Sequence, residues 1–194
     1  MTDHNYEASN LPSGPEIYCY SSAIYFNRNI YFFGGYVHGL CRTTSLKFDL
    51  DRNKWIGLTP LPEPDQSCHS IIVNRNILIS GLRNRHLLHY SIDNNSFTVM
   101  PHKFAADKRK ILINVGKLYL IECDDGHIYE SYYIDEYGSD LSGELAWRVI
   151  GKSIINISPL QVYYTYNKGA IYIATDLDQR YYKFDLNLKK LTRL

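Results

Sequence analysis

Three groups of residues in this chain have types that metal or proton chemistry uses. They are His86 and His89 at an i, i+3 spacing, the adjacent pair Cys68 and His69, and the acidic turn Asp124-Asp125-Gly126. Their patterns do not suit that chemistry. On a strand, positions i and i+3 point to opposite faces, so the two histidines diverge instead of converging on one ion. Cys19, Cys41, Cys68 and Cys123 stand 22, 27 and 55 residues apart, with no Cys-x-x-Cys pair to anchor zinc. Asp124-Asp125-Gly126 lacks the further acidic ligands of a calcium loop and reads as a turn. No Gly-rich phosphate loop and no G-x-S-x-G nucleophile turn occurs. The sequence predicts no catalytic residue, no metal ligand and no cofactor, and the expectation is a protein that is not an enzyme.

Bulk composition narrows the partners. Hydrophobic residues make up 45%, charged residues 21%, and the formal net charge is +1. There is no basic excess of the kind that carries nucleic-acid or membrane-surface binding, so neither is an expected partner. No apolar run approaches the roughly 18 residues of a membrane helix. Met1 to Pro15 is polar and has no apolar signal region, which leads to an expectation of a cytoplasmic protein with reduced thiols.

The elements that would position any site are strands. Residues 1–16 carry Pro12, Ser13, Gly14 and Pro15 and read as a flexible tail. From 17 to 194, short apolar runs alternate with Asn, Asp, Gly and Arg, and no helical stripe is sustained. Among 194 residues 18 are tyrosine, a residue that favours strands. The runs recur. Ile30, Ile77, Leu118 and Ile171 each open an alternating segment after a short turn and lie 47, 41 and 53 residues apart. A third strand follows with an aromatic-x-aliphatic signature at Phe48, Tyr90, Tyr132 and Phe184, spaced 42, 42 and 52. A fourth begins at Trp55, Phe97, Trp147 and Leu191. Two landmarks in one register define four units of four strands, at about 17–60, 66–101, 109–151 and 160–194. A period of this length carrying four strands predicts an all-β propeller, each blade burying its faces against its neighbours.

The first unit also resembles a known family. Phe32-Phe33-Gly34-Gly35, then Phe48-Asp49-Leu50-Asp51-Arg52-Asn53-Lys54-Trp55 and the link Leu58-Thr59-Pro60-Leu61-Pro62-Glu63-Pro64, is similar to the kelch motif. The other units keep the strand rhythm but not the double glycine, and the fourth recovers Lys183-Phe184-Asp185-Leu186. The resemblance implies a kelch-type β-propeller. With four blades counted, the expectation is an open arc or incomplete propeller, a closed four-bladed ring being the alternative.

In a four-stranded blade the loops between the second and third strands, together with the blade-to-blade links, emerge on one side. The resemblance makes that side the expected partner face. Its loops offer Tyr36, His38, Arg42, Arg83, Arg85, Asp124, Asp125, Asp178 and Arg180 as partner-binding residues. The expected role is protein–protein interaction. Two alternatives stand beside it: a propeller enzyme or metal-dependent protein of galactose-oxidase-like fold, and an incomplete propeller that self-associates through its open blade ends.

Overall fold

The computed structural model describes residues 12, 14–16, 18–124, 126–132, 145–155, 162–175 and 180–194. Blade 1 contains β1 (Ser22–Phe26), β2 (Asn29–Phe33), β5 (Ser45–Asp49) and β6 (Lys54–Gly57). Blade 2 contains β7 (His69–Val73), β8 (Asn76–Ser80), β9 (Leu88–Ser91) and β10 (Ser96–Val99). Blade 3 contains β11 (Lys110–Asn114), β12 (Leu118–Glu122), β13 (His127–Tyr132) and β14 (Ala146–Lys152). Blade 4 contains β15 (Val162–Asn167), β16 (Ala170–Thr175), β17 (Arg180–Asp185) and β18 (Lys190–Arg193). Every sheet is an antiparallel meander, and together they form a four-bladed β-propeller arrangement. No helix occurs among the described residues, so none is long and apolar enough to cross a membrane.

Local chemistry explains the meanders. The first hairpins of blades 1 and 2 turn through Asn27-Arg28 and Asn74-Arg75, all four with positive φ, as a two-residue turn matched to strand twist requires. The repeated Lys-Phe-Asp-Leu shares a cause at its Asp. Asp49 Oδ1 accepts from the Asp51 and Arg52 amides, and Asp185 Oδ1 accepts from those of Asn187 and Leu188, each at 2.9–3.0 Å. Those amide bonds hold both carboxyls below their ordinary range. One feature of blade 1 departs from the expectation of a plain loop. Residues 36–43 contain a small hairpin, β3 (Tyr36–Val37) with β4 (Leu40–Cys41), whose tip His38-Gly39 has positive φ.

The core lies between blades. Tyr31 and Phe33 meet Ile77, Ile79, Leu88 and Tyr90 at the first junction. Ile71, Val73 and Leu78 meet Leu112, Leu118 and Leu120 at the second, sealed by Met100 and Phe104 from the link. Ile111, Ile113, Tyr119 and Ile121 meet Ile171, Ile173, Tyr182 and Phe184 at the third. Each such side chain contributes about 1.5–3 kcal/mol on burial, so the junctions hold the blades in sequence. No cluster among the described residues joins blade 4 to blade 1.

The outward face of blade 1 corrects one sequence expectation. Ile30 and Phe32 share the register of Ile77 and Ile79, which predicts a place between blades for all four. Ile77 and Ile79 are buried, but Ile30 and Phe32 are only half-buried, because they face outward from blade 1. A second correction concerns the histidines. His86 precedes β9 instead of lying on it, and its Nδ1 lies 2.8 Å from the Met100 carbonyl, while His89 is buried within the strand.

Candidate functional site

The side carrying the second-to-third-strand loops is organised by two buried carboxylates from outside those strands' pattern. Asp65, on the link from blade 1 to blade 2, is 1% exposed. Its Oδ1 accepts from the Gln66 and Arg83 amides, and its Oδ2 from the Asn84 amide, at 2.7–3.0 Å. Its main chain reaches backwards as well: the Gly35 amide donates to Asp65 O at 3.0 Å, and the Asp65 amide donates to Arg42 O at 3.2 Å. One residue therefore ties the loop of blade 1 to the loop of blade 2. Gly34 and Gly35 are required here, with φ of +68 and +117. A Cβ on Gly34 would lie 2.7 Å from the Asp65 carbonyl oxygen.

In the next blade, Glu122 has the equivalent role. It too is 1% exposed, and it accepts from the Ala105 amide on the link and the His127 amide on β13, at 2.7 and 3.2 Å. The Tyr129 hydroxyl adds a bond at 3.4 Å, and burial first, then this carboxylate, pushes the phenol up to about 12. Between the two carboxylates lies Lys110, 3% exposed, whose ammonium donates to the carbonyls of Gly81, Asn84 and Lys108 at 3.0–3.1 Å. Burial lowers its pKa. These interactions brace the loop backbones from below, which leaves their side chains free to face solvent.

The sequence-derived partner residues divide accordingly. Arg83, Arg85, His38 and Asp124 are exposed. The Arg85 carbonyl accepts from the Phe104 amide, and the Asp124 carbonyl from Lys108 Nζ. Tyr36 and Arg42 are half-buried. Tyr36 pairs with Cys41 and packs edge-on against Tyr20 at 6.3 Å between ring centroids, and the Arg42 guanidinium lies 5.5 Å over the Tyr18 ring. These two brace the β3–β4 hairpin. Arg180 begins β17, half-buried, on the same side of blade 4. Asp125 and Asp178 lie outside the described residues.

Sequence reasoning passed over Asp65, Glu122 and Lys110. The available signal was weak: Asp65 ends the Pro-rich link, and Glu122 and Lys110 are charges at strand ends where alternation calls for apolar residues. Cys123 is also buried here, and His69 is half-buried. Burial lowers His69 to about 4, with its Nδ1 accepting from the Leu112 amide at 3.2 Å, so the imidazole is neutral. Burial pushes the Cys123 thiol up to about 12, far from a reactive thiolate. Among the described residues no group of three His, Cys, Asp or Glu is placed to hold a metal ion.

No family model and no curated protein matches the sequence. Among solved structures, the chain is similar to the one described as "Structure of YjhT", with a TM-score of 0.67 and 13% identity over 95% of this chain and 67% of that chain. At that identity the likeness speaks to the fold alone, and the fold is a β-propeller arrangement of blades.

Proposed function

We propose that this chain is a kelch-type propeller module that binds another protein through the side built from the second-to-third-strand loops and the blade links. The observation that carries this reading is the pairing of exposed Arg83 and Arg85 with a loop backbone held by the buried Asp65 carboxylate. A braced loop loses little conformational freedom on docking, and arginine is among the residues that dominate interface energetics. The kelch assignment rests on blade 1. There Gly34 and Gly35 adopt positive φ, Asp49 caps its turn, and Trp55 packs over Phe48 at 5.0 Å between centroids. The four cysteines are free thiols, which suits the reducing cytoplasm.

The test is quantitative affinity capture with the wild type and with the Arg42→Ala, Arg83→Ala, Arg85→Ala triple variant. Loss of one hot-spot arginine costs about 2 kcal/mol, so a partner on this face should be retained roughly thirtyfold less well by the variant. An unchanged partner set, in unchanged amounts, removes this face from consideration.

A further inference from the structure

The loop that carries Arg83 and Arg85 is held through both kinds of main-chain group. Its amides go to an anion: Asp65 Oδ1 accepts from Arg83 and Oδ2 from Asn84, each at 3.0 Å. Its carbonyls go to a cation: Lys110 Nζ donates to Gly81 O and Asn84 O, each at 3.1 Å. The anion stands on the link before blade 2, and the cation begins β11 of blade 3. Asn84 is held at both ends of one residue, its N–H on one charge and its C=O on the other. Gly81 fits between the two because a Cβ there would run into the Asp65 carboxylate.

Lysine is an unexpected residue for this place. It opens the buried run Lys110-Ile111-Leu112-Ile113 and is itself 3% exposed. A buried ammonium is costly unless its donors are used. It has three, and the third goes to the Lys108 carbonyl at 3.0 Å on the link. All three N–H groups therefore meet main-chain carbonyls, as carbonyl oxygens gather round a hard cation. The Lys110 main chain is fixed to blade 2 as well, since Ser80 Oγ donates to Lys110 O at 3.1 Å. Filling space would need only the four-carbon stem, which methionine matches in length. Convergence of three carbonyls on one point needs N–H donors.

We propose that Lys110 is the positioning residue of this loop. Its ammonium is a resident cation that, together with Asp65, holds residues 81–85 in one conformation and so fixes where Arg83 and Arg85 stand. At 3% exposed it is beyond a partner's reach, and it acts through the two arginines. The clamp itself stands on the geometry alone, while its effect on affinity rests on the partner-binding reading above.

Amide exchange followed by NMR tests the clamp without any partner. Lys110→Met keeps the length of the side chain and removes its donors. Exchange at residues 82–85 should be roughly tenfold faster or more, while β8 and β11 keep their wild-type protection. Asp65→Ala opens the same loop, so the double variant should exchange within about threefold of the faster single variant, not at the product of the two effects. Lys110→Ala leaves the site vacant, and ethylammonium chloride should restore protection there but not in Lys110→Met, whose side chain fills the space. Tetramethylammonium, which has no N–H, should restore neither. Circular dichroism melts confirm that each variant is folded. Unchanged exchange at 82–85 in Lys110→Met overturns the clamp, as does equal acceleration in every blade. Multiplicative effects of the two sites overturn it too, as does ethylammonium acting on both variants alike or on neither. For affinity, the probe is a protein retained by the wild type and lost by the triple arginine variant; Lys110→Met should hold it roughly tenfold more weakly. A loop that opens with unchanged affinity overturns the positioning of the arginines. If no protein distinguishes the wild type from the triple variant, the partner-binding reading fails, and exchange still decides the clamp.

Discussion

Replacing Glu130 by glutamine should loosen blade 4 from blade 3 and remove a specific component of the acid sensitivity. Glu130 is 1% exposed on β13, yet three cations converge on it: Arg148 at 2.7 Å, Lys189 of the last blade at 2.8 Å, and Lys117 at 3.5 Å. Burial by itself would raise this carboxyl. The hydrogen bonds from Lys189, Arg148 and the Tyr119 hydroxyl outweigh it and hold the group at about 2, against an ordinary 4.5. That difference corresponds to about 3 kcal/mol of preference for the charged folded state. Because the folded pKa is depressed, this stabilisation is complete above about pH 4.5 and is lost as pH falls towards 2. The cations are 58%, 32% and 47% exposed in their side chains, so in Glu130→Gln they can recover water. The expected loss at pH 7 is therefore about 2–3 kcal/mol, below the 3–5 kcal/mol of a fully buried pair broken on one side. Urea unfolding at pH 7 and pH 3, with hydrogen exchange across β15 to β18, measures it. A loss under about 0.5 kcal/mol at pH 7, or a variant whose pH profile parallels the wild type's, would refute this account of the junction.

Three further outcomes follow from the braced loop side. Gly34→Ala should cost about 1–3 kcal/mol, since φ is +68 and the new Cβ meets the Asp65 carbonyl at 2.7 Å; thermal melts of purified protein check it. Asp65→Ala strands the Arg83 and Asn84 amides, so hydrogen exchange should accelerate at residues 82–85 and partner capture should fall even though no arginine has changed. His69 titrates at about 4 when folded against an ordinary 6.5, so the unfolded chain binds the extra proton first and stability should drop as pH falls from 6.5 to 4. In His69→Gln that contribution to the slope should vanish from unfolding curves measured across the same range.

The blade count and strand order were legible in the chain because every pairing inside a blade joins neighbours in sequence. Alternation with a period of two, Asn-Arg turns and the repeated Phe-Asp spacing act within a few residues, so they leave a local pattern that spacing alone exposes. The loop residues Arg83, Arg85, His38 and Asp124 were legible for the same reason, as polar breaks between such runs. What the chain does not write locally is which face of a blade is covered. Ile30 and Ile77 stand in the same register with the same type, yet one is half-buried and the other fully buried, because burial is decided by whether another blade lies opposite. Asp65 likewise looks like one more charge after a proline. Only folding brings the Arg83 amide, 18 residues on, against its carboxylate, and only the wedge between blades removes the water that would otherwise weaken that bond. Local periodicity, then, determined the repeat, while long-range packing decided which of its residues hold the loops and which blade faces are buried.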